Sequence, residues 1–294
     1  MDVGICLPYS EPGITRETLV DWCRAIEDSP LTSVSCGERI SGPHAMEMRA
    51  MIAGAALLTE RIRIVTSLYI LPMHNAVWAA KEIATLDILS KGRLDVVVGT
   101  GGRPNDYAAV GADFATRNQR LPGQVAKMRS IWAGEPPFEG SEIIGPAPYQ
   151  KGGPRVIGGF AGPKAIAKSA AWADGLYGFS IPGDPGEIAL KMDWFEEAWQ
   201  NTGRKGKPHK IGGFWYSLAD NAQQGLHHYV YEYLRIAGHD FATQVADSMT
   251  QHSPDLILKT MRAMKETGID ELFMVPASAD VSEVTRLAEL VAKI

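Results

Sequence analysis

The chain has 294 residues, of which 45% are hydrophobic and 21% charged, enough to form one barrel-sized domain or two smaller ones. A formal net charge of -5 and a sequence pI near 5.8 argue against binding to nucleic acid or to an anionic membrane surface. No apolar run is long enough to span a membrane, and the N-terminal residues MDVGICLPYS lack the regions of a signal peptide. We therefore expect a soluble, cytoplasmic protein.

The cysteines have neither the paired spacing of a disulfide framework nor the spacing of a metal site. They are Cys6, Cys23 and Cys36. We expect all of them to be buried as small hydrophobic residues, and we expect no metal ion.

The first half of the chain alternates β-branched apolar runs with helical patterns. Strands are predicted at residues 3–7, 34–36, 62–68 and 94–98. A helix capped by Thr15 follows the first strand, and further helices are predicted at 45–58, near 105–110 and at 117–132. The third and fourth strands are nearly continuous in Ile, Val and Leu, which is typical of strands covered by helices in a parallel sheet.

The second half repeats this alternation after an interruption. Residues 135–153 are rich in proline and glycine and predict an excursion with a hairpin at 138–144. Strands are then predicted at 155–158, 176–179, 211–216 and 272–275, and helices at 163–172, 185–200, 219–249, 254–267 and 281–292. This order predicts an α/β fold, a single (β/α)8 TIM barrel over residues 1–294 with insertions after the fourth helix and after strand seven.

Two glycine-rich loops follow predicted strands. After the fourth strand the run Gly99 to Gly102 suggests a dinucleotide fingerprint, but Pro104 stands where its third glycine belongs, so that interpretation fails. After the fifth strand, residues 158–162 precede a helix that begins at Pro163. Free amides at this helix start could bind a phosphate, and a tight turn between strand and helix explains the glycines equally well.

Two long segments resemble one family. LPMHNAVWAAKEIATLDILSKGRLDVVVGTG and GGFAGPKAIAKSAAWADG are similar to the core and the phosphate segment of the luciferase-like flavin and deazaflavin oxidoreductases. That family includes bacterial luciferase, FMN-dependent monooxygenases and F420-dependent dehydrogenases and reductases. The resemblance extends over almost the whole chain and implies a flavin or deazaflavin cofactor, F420 or FMN.

The resemblance also implies a cofactor-binding set. It consists of Ser67, Leu68, Thr100, Gly101, Phe160, Ala161 and Gly162. Ser67 and Leu68 form a bulge in strand three, often with a cis peptide bond, beneath the isoalloxazine ring. Thr100 and Gly101 lie along the cofactor chain, and residues 160–162 supply the backbone that binds phosphate.

Other matching positions receive structural roles. Asn75 is expected to cap the third helix, and Tyr69 and His74 are expected to border the pocket. An internal ion pair or hydrogen-bonded set is expected for Glu82, Asp87 and Arg93.

Two departures from the family pattern affect the substrate. Sugar-phosphate dehydrogenases of the deazaflavin branch have an acidic residue where this chain has Gly102, and a histidine where it has Glu38 and Arg39. That substrate class is therefore not supported. Glu38 is the candidate catalytic residue, because a carboxylate at the mouth of a barrel can be tuned for proton transfer. A salt bridge to Arg39 or to a neighbouring helix is the alternative.

Two functions stay open. The first is an oxidoreductase that uses F420 or FMN for hydride transfer to, or monooxygenation of, a small organic substrate. The second is a barrel that binds a flavin or another phosphorylated ligand without turnover. The TS and GTG loops favour F420 over FMN. Expected partners are a small-molecule substrate, a separate flavin or F420 reductase, and a second copy of the chain in a homodimer or larger assembly.

Overall fold

Eight parallel strands close into a barrel in chain order, and the computed structural model describes all residues from 1 to 294. Pairing of the last strand with the first closes the barrel, with Val3 opposite Leu272. The predicted TIM barrel is therefore confirmed. Its strands are β1 Asp2–Cys6, β2 Ser33–Cys36, β3 Arg63–Tyr69, β4 Leu94–Val98, β5 Val156–Gly159, β6 Gly175–Phe179, β7 His209–Tyr216 and β8 Glu271–Pro276.

Helices surround the barrel, and none of them combines the length and the apolar character needed to cross a bilayer. Thr15 caps the first, accepting a hydrogen bond from the Thr18 amide at 3.3 Å, as predicted. The helices are α1 Arg16–Glu27, α2 Met48–Leu58, α3 Ala76–Leu89, α4 Pro104–Ala109, α5 Arg117–Trp132, α6 Pro163–Ser169, α7 Pro185–Gln200, α8 Ala222–Leu234, α9 His239–Asp247, α10 Pro254–Glu266 and α11 Ser282–Val291.

The apolar residues form one layer inside the barrel and a larger one between the barrel and the helices. Alternate residues of a strand point to opposite faces of the sheet. One face packs inside the barrel and the other against the helices, so both faces are buried and few strand positions are polar. All three cysteines are free and buried, as expected. The inner layer consists of Val65, Val97, Ile157, Tyr177, Ile211 and Phe273.

Both predicted insertions are present, although each differs in detail from the prediction. The long helical region after β7 is divided into α8 and α9 at Gly238, whose φ of 120° breaks the helix. The predicted hairpin at residues 138–144 is wrong, because this segment contains no strand. Carbonyl groups on either side of this segment accept hydrogen bonds from lysine side chains. Lys127 donates to the Pro137 carbonyl at 2.5 Å, and Lys81 donates to the Gly145 carbonyl at 2.7 Å.

The three polar residues predicted to form an internal ion pair or hydrogen-bonded set do hold loops and strands, but they do not contact one another. Glu82 accepts a hydrogen bond from the Tyr69 hydroxyl at 2.9 Å. Asp87 accepts from the Gln150 amide at 2.8 Å, which ties the excursion to α3. Arg93 donates to the Thr59 carbonyl at 2.8 Å. Each therefore anchors a different part of the chain, and no ion pair joins the three.

A buried carboxyl group connects α11 to the segment after β7. Glu283 is fully buried, and its carboxylate accepts hydrogen bonds from Ser217 Oγ at 3.0 Å and from the amides of Leu218 and Ala219 at 2.9 and 3.1 Å. Burial outweighs these donors and raises the pKa of Glu283 to about 7. The folded protein therefore binds this proton more tightly than the unfolded chain does.

Stability should fall as pH rises from about 5 to about 7.5, because the protonated form of Glu283 is the one that folding favours. The Glu283→Gln variant should lose that part of the dependence, on the order of 2 kcal/mol over this range. Urea unfolding at several pH values measures it. Glu11, whose pKa burial also raises to about 7, contributes a slope that both proteins share. Equal slopes in parent and variant would contradict the assignment.

Candidate functional site

A cavity of about 580 Å³ opens at the carboxyl ends of the strands. This is the end at which TIM barrels and other parallel α/β folds bind their ligands. Every strand, or the loop that follows it, contributes to the lining. One residue from each, in strand order, is Cys6, Glu38, Ser67, Thr100, Gly159, Tyr177, Trp215 and Val275.

The residues that the sequence marked for a cofactor come together along one wall. The lining includes Ser67 and Leu68 from β3, Thr100 and Gly101 after β4, and Phe160 and Ala161 after β5. Gly162 lies next to them as the N-cap of α6, outside the lining itself. Three adjacent strands thus present one continuous surface of small and apolar residues, which we call the β3–β5 wall.

Leu68 determines the shape of this wall. The register of β3 against β4 shifts between Ser67 and Tyr69, and the peptide bond before Leu68 is cis, which agrees with the resemblance. The Leu68 side chain lies across two glycines. A Cβ atom added at Gly159 would be 2.1 Å from Leu68 Cδ2, and one added at Gly99 would be 2.7 Å from Leu68 Cδ1. These two positions therefore have to be small for Leu68 to lie flat against the strands.

The loop after β5 offers unpaired amides. Neither Ala161 nor Gly162 donates a main-chain hydrogen bond within the protein. A Cβ atom added at Gly162 would meet nothing within 4 Å, so the side-chain position of this residue is open. Such a loop fits an anionic group that accepts both hydrogen bonds.

Glu38 lines the cavity, but both of its oxygens are engaged. Oε1 lies 2.6 Å from His74 Nε2, and Oε2 accepts a hydrogen bond from the Ile70 amide at 2.6 Å. The side chain is only 4% exposed. The predicted alternative, a salt bridge from Glu38 to Arg39, is absent. Arg39 Nε donates to the Ser41 carbonyl at 2.6 Å instead. The carboxylate is therefore held in one orientation at the cavity wall.

Tyr69 and His74 do not border the pocket as expected. Neither belongs to the cavity lining, and Tyr69 is fully buried. Side chains alternate along a strand, so Tyr69 points away from the barrel axis, where its hydroxyl reaches Glu82. His74 lies behind Glu38 as its partner. Asn75 does cap α3, accepting from the amide of Val77 at 2.9 Å.

Sequence reasoning missed the opposite side of the cavity. In a closed barrel of eight strands β7 lies across from β3, and here the lining is aromatic. No motif connects these residues, since they come from the loop after β1, from β6 and β7, and from α8. We call them the aromatic wall: Tyr9, Tyr177, Phe179, Trp215, Tyr229 and Tyr233.

The charged side chains of Arg103 and Asp106, which line the same cavity, also have hydrogen-bond partners within the protein. The Arg103 guanidinium lies 4.8 Å from the centre of the Tyr233 ring and donates to the Tyr233 carbonyl at 2.6 Å. Asp106 is buried and accepts hydrogen bonds from the Ser41 amide at 2.9 Å and the Ile40 amide at 3.3 Å. These contacts connect the loop after β2 to α4 and fix the cavity mouth.

Residues 1–292 match the family model described as luciferase-like monooxygenase. The chain belongs to this family. A relative of unassigned function from Mycobacterium tuberculosis is 29% identical over 164 residues, covering 53% of this chain and 57% of the relative. The match thus spans little more than half of that relative's length.

Solved structures share the fold over the whole chain. An F420-dependent secondary alcohol dehydrogenase in complex with an F420–acetone adduct has a TM-score of 0.78 at 18% identity, covering 99% of this chain and 98% of that one. The oxygenating constituent of 3,6-diketocamphane monooxygenase from Pseudomonas putida, in complex with FMN, has a TM-score of 0.73 at 17% identity, covering 100% and 97%. At these identities the likeness is one of fold.

Proposed function

We propose that this protein is an oxidoreductase that binds F420 or FMN and acts on a small organic substrate by hydride transfer or monooxygenation. The main support is the β3–β5 wall, which brings three separate sequence segments to one surface. The amides of Ala161 and Gly162, which have no main-chain acceptor, lie at its edge. Membership of the luciferase-like family and the cofactors named for two structures of the same fold support this assignment.

The wall suits a planar ring joined to a phosphorylated chain. Leu68, lying flat on Gly99 and Gly159, offers an apolar surface for one face of the ring. In this proposal Thr100 and Gly101, which line the same cavity, bind the chain, and the unpaired amides of Ala161 and Gly162 bind the phosphate. When bound, F420 or FMN supplies the redox chemistry. The chain itself binds and orients the cofactor and keeps water from its ring.

Glu38 is the proposed proton-transfer group of this site. It is a lining carboxylate with a second titratable group, His74, 2.6 Å away. The Ile70 amide holds Oε2, so the Glu38 side chain keeps its orientation while a proton passes between Oε1 and His74 Nε2. A separate flavin or F420 reductase is the proposed partner, as the term "oxygenating constituent" implies for the Pseudomonas putida protein.

Turnover distinguishes an enzyme from a barrel that only binds its ligand. The purified protein should change the absorbance spectrum of FMN or F420 on binding. Under nitrogen it should oxidise members of a panel of small organic compounds with the oxidised cofactor, or reduce them with the cofactor reduced beforehand. In air, monooxygenation of the panel should require FMN kept reduced by an added chemical reductant. Glu38→Gln should lower kcat by about 100-fold while leaving the cofactor Kd unchanged. Binding without turnover across the panel favours the non-catalytic alternative.

The loop after β5 gives a sharper test. Gly162→Asp should weaken binding of both FMN and F420 by about tenfold or more, because a carboxylate at this N-cap repels the phosphate and competes for its amides. Stability should not fall, since a Cβ here has open space and aspartate is a favourable N-cap. Gly162→Asn is the matched uncharged control. Fluorescence titration at low salt measures both, and unchanged affinity in Gly162→Asp would refute the loop assignment.

We further propose a homodimer that pairs through α2 and α3. Leu57 on α2 is 67% exposed and Trp78 on α3 is 63% exposed, and the two helices pack side by side. Sedimentation should give about twice the 31.9 kDa of one chain. A Leu57→Glu and Trp78→Glu double variant should dissociate, whereas Leu190→Glu on the exposed side of α7 should not. A parent that sediments as a single chain at micromolar concentration would exclude this assembly.

A further inference from the structure

Two arginines are the only cationic side chains of the cavity lining, and neither is paired with a carboxylate. They are Arg39, in the loop after β2, and Arg103, the N-cap residue of α4. Each forms one hydrogen bond, to a main-chain carbonyl. Arg39 Nε donates to Ser41 at 2.6 Å, and Arg103 Nη2 donates to Tyr233 at 2.6 Å. Both terminal nitrogens of Arg39, and Nε and Nη1 of Arg103, therefore have no acceptor within the protein.

One aromatic ring brings the two guanidinium groups close together. Arg39 Cζ lies 6.0 Å from the centre of the Tyr233 ring, and Arg103 Cζ lies 4.8 Å from it. Since Tyr233 belongs to α8, the loop after β2, the start of α4 and α8 meet at this ring. Gly42 also packs against Arg39, because a Cβ atom added there would be 3.2 Å from Arg39 Nε. Both guanidinium groups are thus held at the mouth of the cavity.

The two carboxylates of the lining do not neutralise these cations. Glu38 and Asp106 already accept hydrogen bonds from main-chain amides, and neither forms an ion pair with an arginine. A guanidinium group has five N–H donors, and one that is partly buried loses some of its water. Arg39 and Arg103 are both only partly exposed. The free donors of the two side chains are therefore available to an anionic ligand.

We propose that Arg39 and Arg103 form an anion subsite, which selects a small organic acid as the substrate. The two guanidinium groups bind its carboxylate, and its apolar remainder enters the cavity. The planar fork of a guanidinium group matches the two oxygens of a carboxylate. The subsite rests on the proposed function and names its substrate class. Because a neutral molecule of the same shape gains no charge-assisted hydrogen bond, negative charge is the feature selected.

Benzoate and benzamide test the anion subsite, since they have nearly the same shape and differ in charge. With FMN bound, the parent should bind benzoate about tenfold or more tightly at low salt, the effect of charge-assisted hydrogen bonds. The preference should fall at high salt, because the cavity mouth is open to solvent. Arg39→Met and Arg103→Met should each reduce it, and the double variant should lose it. Ligand-observed NMR titration gives the ratio of the two dissociation constants.

Two control variants separate charge at the subsite from other effects. A double variant with Arg39→Lys and Arg103→Lys keeps both charges and should retain part of the preference. Arg235→Met removes the same charge beside Leu234 and Ile236, which line the cavity, but Arg235 itself lies outside the lining and pairs with Glu232. Its removal should leave the preference unchanged.

The anion subsite is overturned if the parent binds both probes equally, or if the double Met variant keeps the preference for benzoate. It is also overturned if that variant loses affinity for F420 alone, because the acidic tail of F420 would then be the occupant. FMN lacks this tail, so the FMN-loaded protein separates the two sources of an anion. Failure of the proposed function is distinct, since it shows as absence of FMN and F420 binding. The same titration of the cofactor-free protein then still decides the subsite.

Discussion

The contact of Leu68 with Gly99 and Gly159 is the constraint on which the candidate site depends. No side chain larger than hydrogen fits at either glycine while Leu68 lies across them. Leu68 belongs to β3, Gly99 directly follows β4 and Gly159 ends β5, so the contact joins three adjacent strands at the carboxyl end of the barrel. The flat apolar surface that results is what a planar cofactor ring requires.

Two carboxylates of the cavity lining also hold the surrounding loops. Glu38 connects the loop after β2 to Ile70 and His74, and Asp106 connects the same loop to α4. Buried carboxylates with several donors keep a loop in one conformation, because moving the loop breaks hydrogen bonds that water does not replace. The cavity is therefore preorganised on its polar side and apolar inside.

The cavity has two walls of different chemistry. Small residues and open amides form the β3–β5 wall, and tyrosine, tryptophan and phenylalanine form the aromatic wall. A barrel makes this division possible, because strands on opposite sides of the axis face each other across one opening. The division also separates the two tasks of the proposed enzyme. In the proposed function the β3–β5 wall binds the cofactor, and the aromatic wall is free to vary with the substrate.

The sequence by itself determined the alternation of eight strands with helices, since continuous β-branched runs and helical periodicity are local signals. Through its resemblance to the family it also predicted cofactor segments at Ser67 in β3, Thr100 after β4 and Ala161 after β5. Local pattern failed at residues 138–144, which contain no strand, while lysines of α5 and α3 bind the flanking carbonyls of Pro137 and Gly145. Only the tertiary structure decided the aromatic wall and the partners of Glu38. Tyr9, Tyr177 and Tyr233 are far apart in sequence, and barrel closure alone brings them to one cavity.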